Sequence, residues 1–104
     1  MDYLTRNAKD NPAVLIMHNL FSYFNRLAIC KFRRADDEKE IAALLGIHPF
    51  IARNYRPGLR NYSMLRIKEN LIYIAEADLR LKGMRSTHMG EEHTLKTLLH
   101  QLVR

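Results

Sequence analysis

The sequence predicts an all-α fold, a compact bundle of about five helices. Three observations carry this. Apolar residues recur at i, i+3, i+4 and i+7 along most of the chain, the period of a helix with one buried face, while the alternation of a half-buried strand is nowhere sustained. Residues that start or stop helices (Pro12, Gly46, Pro49, Ser63 and Gly83) punctuate the pattern at helical lengths. Finally, 104 residues, 47% of them hydrophobic, suffice for one core and leave little for a second.

The elements follow in order. Residues 1–10 are polar and irregular and are expected to form a flexible tail or to mark a truncation point, with the helical domain spanning 11–104. Asn11 and Pro12 supply a cap and an N1 proline, whose missing N–H costs nothing at a helix start. In the helix from Ala13 to Arg34, His18, Asn19, Ser22, Asn25, Arg26 and Arg33 share a narrow polar face. Val14, Ile16, Met17, Leu20, Phe21, Phe24, Leu27, Cys30 and Phe32 cover the rest, an apolar surface too wide for one neighbour. This is therefore expected to be the central helix, with Leu20 and Phe24 in the core. Asp36, Asp37 and Glu38 place acids where a second helix begins; Ile41, Leu44 and Leu45 form its stripe and Gly46 ends it. Pro49 opens a third with Phe50, Ile51, Ala52, Tyr55 and Leu59, which Pro57 and Gly58 are expected to end or bend before Tyr62. Ser63 caps a fourth, in which Met64, Ile67, Leu71, Ile74, Ala75 and Leu79 run down one side to Gly83, roughly 30 Å of helix. After a polar loop from Met84 to Gly90, a last helix carries Leu95, Leu98, Leu99 and Leu102, with Glu91 and Glu92 in its first turn.

The signatures of catalysis are missing. The chain has no GxxxxGK[ST] phosphate cradle, no GxGxxG, no GxSxG and no HExxH, and only four glycines from which to build a nucleotide loop. Among His88, His93 and His100, the last two share a helical face but stand two turns apart, about 10 Å, with Lys96 between them, so no metal site is expected. Cys30 is the single cysteine, set in an apolar run; it reads as a buried structural thiol in a reducing, cytoplasmic setting. No cofactor is implied. No export signal opens the chain, and no apolar run approaches the ~18 residues of a membrane span.

Seventeen Lys and Arg against eleven Asp and Glu give a net charge of +6. That balance favours nucleic acid or acidic protein surfaces, but the cations are spread along the chain, so any DNA contact is expected to be weak or indirect. Asp78 falls within the apolar stripe of the fourth helix. It reads either as the partner of an Arg on a neighbouring helix or subunit, or as an i, i+4 pair with Lys82, matched by Glu76 with Arg80. The most specific local pattern is Glu40 to Ile47 followed by Pro49 to Tyr55: a small residue, Ala42, four before the turn glycine, with flanking apolar residues, as in a helix-turn-helix. A recognition helix needs polar side chains at its N-terminal end to meet base edges. Here that end offers Pro49, Phe50 and Ile51, which suit a protein surface better.

The run EIAALLGIHPFIARNY (Glu40 to Tyr55), then NYS (Asn61 to Ser63), then LIYIAEADLRLKG (Leu71 to Gly83) and a closing leucine-rich helix resembles the C-terminal, or collar, domain of the delta subunit of the bacterial DNA polymerase III clamp loader, over about residues 12–102. The resemblance implies a non-catalytic scaffold domain of a longer subunit. Such a domain joins the matching domains of the delta prime and gamma/tau subunits in a ring, and the assembly loads the sliding clamp during DNA replication. Contacts with the clamp belong to N-terminal parts absent from this chain, and ATP hydrolysis to partner subunits. Phe50, Arg53, Tyr55, Tyr62 and Asp78 are the candidate residues of the subunit interface. The chain departs from the family at Arg56-Pro57-Gly58, where the helix more often continues toward the Asn-Tyr pair. A free-standing helix-turn-helix DNA-binding protein is the alternative. The two differ in whether Phe50, Ile51 and Tyr55 are buried or form a docking patch, or whether Arg53, Asn54 and Arg56 face a groove.

Overall fold

Pro12 opens the first helix, α1 (Pro12–Arg33), of a computed structural model that describes residues 12–83 and 88–103. Every regular element among them is helical. Helix α1 ends with Arg34 in the left-handed region at φ 58, and the Ala35 N–H reaches back to the Cys30 carbonyl at 2.9 Å, the closing bond of a Schellman turn. Glycine is the usual residue there; a side chain with a Cβ costs on the order of 1 kcal/mol. Helix α2 (Glu38–Leu45) is capped by Asp37, whose carboxylate accepts from the Glu40 N–H at 2.7 Å. Gly46 at φ 68 closes it, and the Gly46 and Ile47 N–H groups both donate to the Ala42 carbonyl.

Helix α3 (Pro49–Ala52) runs into a 3-10 turn (Arg53–Tyr55) and then α4 (Arg56–Asn61), so the expected third helix is two short α-helices with a tightened junction. The expectation that Pro57 and Gly58 would end or bend it is overturned in place. The distortion falls upstream, at Arg53–Tyr55, and Pro57 then occupies the first turn of α4, where a missing N–H breaks no hydrogen bond. Gly58 is buried, and a Cβ there would run into the Tyr23 hydroxyl and lie 2.9–3.0 Å from the Leu27 methyls. Glycine is present because α4 lies so close to α1.

Ser63 begins α5 (Met64–Gly83), its hydroxyl accepting from the Arg66 N–H at 3.0 Å. Helix α6 (His88–Leu102) starts earlier than expected, with Gly90 inside it, which moves Glu91 and Glu92 out of the very beginning of the helix. The Asn11 cap, the 1–10 tail and Met84 to Thr87 lie outside the described residues. No helix among the described residues is long and apolar enough to cross a membrane.

The chain divides into two units, with boundaries inside α1 and α5. In the unit of residues 23–69, Phe24, Leu27, Cys30, Ile41, Ala52, Tyr55 and Ile67 are buried. In the other, Val14, Met17, Ile74, Ala77, Leu81, Leu98 and Leu102 are buried, together with Asn70, whose Nδ2 donates to the Leu102 carbonyl at 3.3 Å.

Several expected core positions are not core. Phe32 is 78% exposed and Ile16 40%, while Leu20 and Phe21 are half-buried, so the buried face of α1 is narrower than its apolar content suggests. On α5, Leu79 and Ala75 are exposed; the buried row is Ile67, Asn70, Ile74, Ala77 and Leu81, a regular helical face that includes a polar residue. Leu99 on α6 is also exposed, with Thr94 taking a buried place beside Leu98 and Leu102. Leu95 is half-buried.

Candidate functional site

The α2–turn–α3 segment is fixed by local chemistry at each joint: Asp37 at its start, Gly46 in its turn, and His48, whose Nδ1 accepts from the Phe50 N–H at 3.0 Å, before α3. The Asp37 carboxyl is held below its ordinary range, chiefly by the backbone N–H of Glu40. The Glu40 carboxyl is pushed up, chiefly by its side-chain hydrogen bond to Asp37.

This frame divides the candidate interface residues. Phe50 is 65% exposed and Ile51 48%, side by side on α3. The Arg53 guanidinium lies over the Phe50 ring, 4.9 Å from its centre, while its Nε stands 3.6 Å from a Glu38 carboxylate oxygen. Arg53 thus bridges α2 and α3 across the exposed edge of the turn. A stacked cation screens one face of the ring, and the rest meets water.

Tyr55 and Tyr62 point the other way. Tyr55 is buried, stacked on Tyr23 with ring centres 5.4 Å apart, and its hydroxyl accepts from Arg26 Nη1 at 2.7 Å. Tyr62 is half-buried and meets Phe24 edge-on at 5.2 Å, and Phe24 meets Tyr23 in the same way at 5.3 Å. Burial, with Tyr62 and Tyr55 nearby, pushes the Tyr23 phenol up. These rings tie α1 to the segment after α3 through offset and edge-on contacts that suit their quadrupoles. Asp78, on α5 in the other unit, pairs with Lys82 at 3.0 Å, one turn along the same helix. Of the five residues, Phe50 and Arg53 share one surface, Tyr55 and Tyr62 share an interior cluster, and Asp78 belongs with neither. Ile51 is the surface residue that the interface list lacks; its place beside Phe50 on a three-residue apolar start to α3 is the signal that marks it.

Cys30 is buried, and burial raises its thiol pKa, which keeps it protonated near neutrality. Among the described residues, no group of three or more His, Cys, Asp or Glu side chains is placed to hold a metal ion. Comparison of the chain with protein-family models, with curated proteins and with solved structures found no match.

Proposed function

We propose that the chain is a non-catalytic scaffold domain of the clamp-loader collar type, part of a delta-like subunit of DNA polymerase III. It docks against the delta prime and gamma/tau subunits in the cytoplasm to hold the assembly that loads the sliding clamp. The observation that carries the reading is the surface that Phe50 and Ile51 of α3 form with Arg53 of the 3-10 turn after it. An aromatic ring, a branched aliphatic side chain and a guanidinium gathered at one exposed point have the composition that dominates binding at protein interfaces. The same end of the helix offers nothing for reading base edges, which disfavours the helix-turn-helix DNA reader. The resemblance of Glu40–Tyr55, Asn61–Ser63 and Leu71–Gly83 to the collar domain supplies the identity of the partners.

The test is co-purification of the chain with the delta prime and gamma/tau subunits, alongside the variants Phe50→Ala and Arg53→Glu. Exposed positions tolerate change within about 0.5 kcal/mol of stability, whereas loss of an interface anchor costs ~2 kcal/mol or more of association. Both variants are expected to melt like the parent and to lose the partners. Failure of the parent to associate with any of these subunits overturns the reading.

A further inference from the structure

The C-terminal end of α1 and the helix α4, both within the unit of residues 23–69, enclose a cavity of about 410 Å³. Lys31, Arg34, Arg56 and Arg60 line it above an apolar floor that includes Leu59, and Asp36 is the one acid of the lining. None of the four cations is in a salt bridge or side-chain hydrogen bond among the described residues. Asp37 lies near enough to Arg56 to feel its charge. The lining itself therefore carries a net charge of +3, four cations against Asp36, and Asp37 beside Arg56 offsets part of it, leaving a positive excess in a concave space, where field lines concentrate.

Ordinary helix chemistry accounts for only part of this. Lys31 sits in the last turn of α1, where a cation complements the helix dipole. Arg56 opens α4, where helices favour acids. Arg34 occupies the left-handed position at the end of α1, with φ 58, which glycine would fill without strain. Arg34 therefore adds its guanidinium to the cationic wall at a position where the backbone alone would favour glycine.

The lining also says what kind of ligand it suits. It holds no aromatic ring for a base to stack on and one carboxylate as its side-chain acceptor, so it has no means of reading a base. Residues 23–69 carry ten Lys and Arg against five Asp and Glu, +5 of the chain's net +6. That excess extends well beyond one anion and rewards a polyanion. We propose that this cavity seats a backbone phosphate of DNA, with Lys31, Arg34, Arg56 and Arg60 as the phosphate-binding groups and no sequence preference. The proposal does not rest on the collar reading, since it concerns this chain and DNA alone.

The experiment is fluorescence anisotropy of a labelled DNA duplex of arbitrary sequence with the chain, titrated between about 50 and 200 mM salt. Each phosphate contact contributes about 0.9 to the slope of log affinity against log salt. Arg56→Gln/Arg60→Gln is expected to reduce that slope by about 2 and to weaken binding at least ~10-fold at low salt. The charge-matched Arg80→Gln/Lys96→Gln pair, in the other unit, should change affinity by less than about 2-fold and leave the slope as it was. Arg34→Gly separates the role from folding: it should raise the melting temperature by a few degrees, by relieving the left-handed strain, and still weaken DNA binding. Equal loss in both double variants would mean diffuse attraction and overturn the proposal. So would a parent chain that binds no duplex at low salt, or a larger rise in melting temperature with inorganic phosphate than with duplex at equal phosphate concentration.

Discussion

Replacing Gly58 by alanine puts two opposing effects on one atom. In an unconstrained helix the change stabilises by about 0.5–1 kcal/mol, because alanine loses less backbone entropy. Here the added methyl meets the Tyr23 hydroxyl and two Leu27 methyls at 2.9 and 3.0 Å. Neither neighbour yields easily: Leu27 is fully buried, and the Tyr23 ring is stacked on Tyr55 and edge-on to Phe24. Overpacking a filled site costs about 1–3 kcal/mol, and a collision with the tip of a ring clamped on two sides belongs in the upper half of that range. The net expectation is a loss of about 1–2 kcal/mol, a fall in melting temperature of roughly 5–10 °C for a chain of this size. Thermal melting followed by far-UV circular dichroism measures it. Tyr23→Phe removes the colliding oxygen, so the double variant Tyr23→Phe/Gly58→Ala should recover part of the loss and show coupling between the two sites. A Gly58→Ala protein that melts at or above the parent refutes the close approach of α4 to α1.

Phe24→Ala removes a buried ring that touches Tyr23 and Tyr62 and should cost about 3–5 kcal/mol by urea unfolding, whereas half-buried Leu20 should lose less on truncation. Asn70→Ala removes the buried donor to the Leu102 carbonyl. It should destabilise by about 1–3 kcal/mol, read as a lower urea midpoint with an unchanged slope. Asp37 is more acidic in the folded chain than in the unfolded one, so its contribution is present above the ordinary carboxylate pKa of 3.8 and disappears as pH falls through the lower folded value. Asp37→Asn keeps the cap but does not titrate, so its stability below about pH 4 should fall less steeply than the parent's in melts across the acid range.

The parts of the fold that could be read in advance are those written in local chemistry. Asp37, Gly46 and Ser63 start or stop helices through bonds to atoms a few residues away, Pro12 through its fixed φ and missing N–H, and the helices begin or end at them. The course through Pro57 and Gly58 could not be read that way, because both residues break helices in isolation. They are tolerated here by a junction upstream and by the nearness of α1, facts of tertiary packing. The burial of Asn70 is illegible in sequence for the same reason: a polar residue on a buried face is explained only by a carbonyl 32 residues further on. At the candidate interface, composition gathers Phe50, Arg53, Tyr55 and Tyr62 into one stretch of chain but cannot sort its aromatics into inside and outside, since Tyr55 faces Tyr23 and Arg26 across a gap of about 30 residues. The cationic cavity was hidden too. Arg56 and Arg60 lie four apart on one helix surface and Lys31 and Arg34 stand at the end of another helix, but only the fold brings the two pairs around one space.

The aromatic cluster has a consequence for how this protein is observed. The chain contains no tryptophan and five tyrosines, and three of those, Tyr23, Tyr55 and Tyr62, belong to the interlocked rings of residues 23–69. The stacked Tyr23 and Tyr55 phenols and the edge-on contacts of Tyr23 and Tyr62 with Phe24, all at about 5 Å, give these rings an asymmetric setting and hence near-ultraviolet ellipticity. That signal will report chiefly on the unit of residues 23–69, with Tyr73 of the other unit outside the cluster. The leucine-rich α6, with its core of Leu98 and Leu102, contributes to far-ultraviolet ellipticity and has no Phe, Tyr or Trp. Melts recorded in the two spectral regions therefore act as separate thermometers, and their coincidence or divergence states whether the two units unfold as one cooperative body.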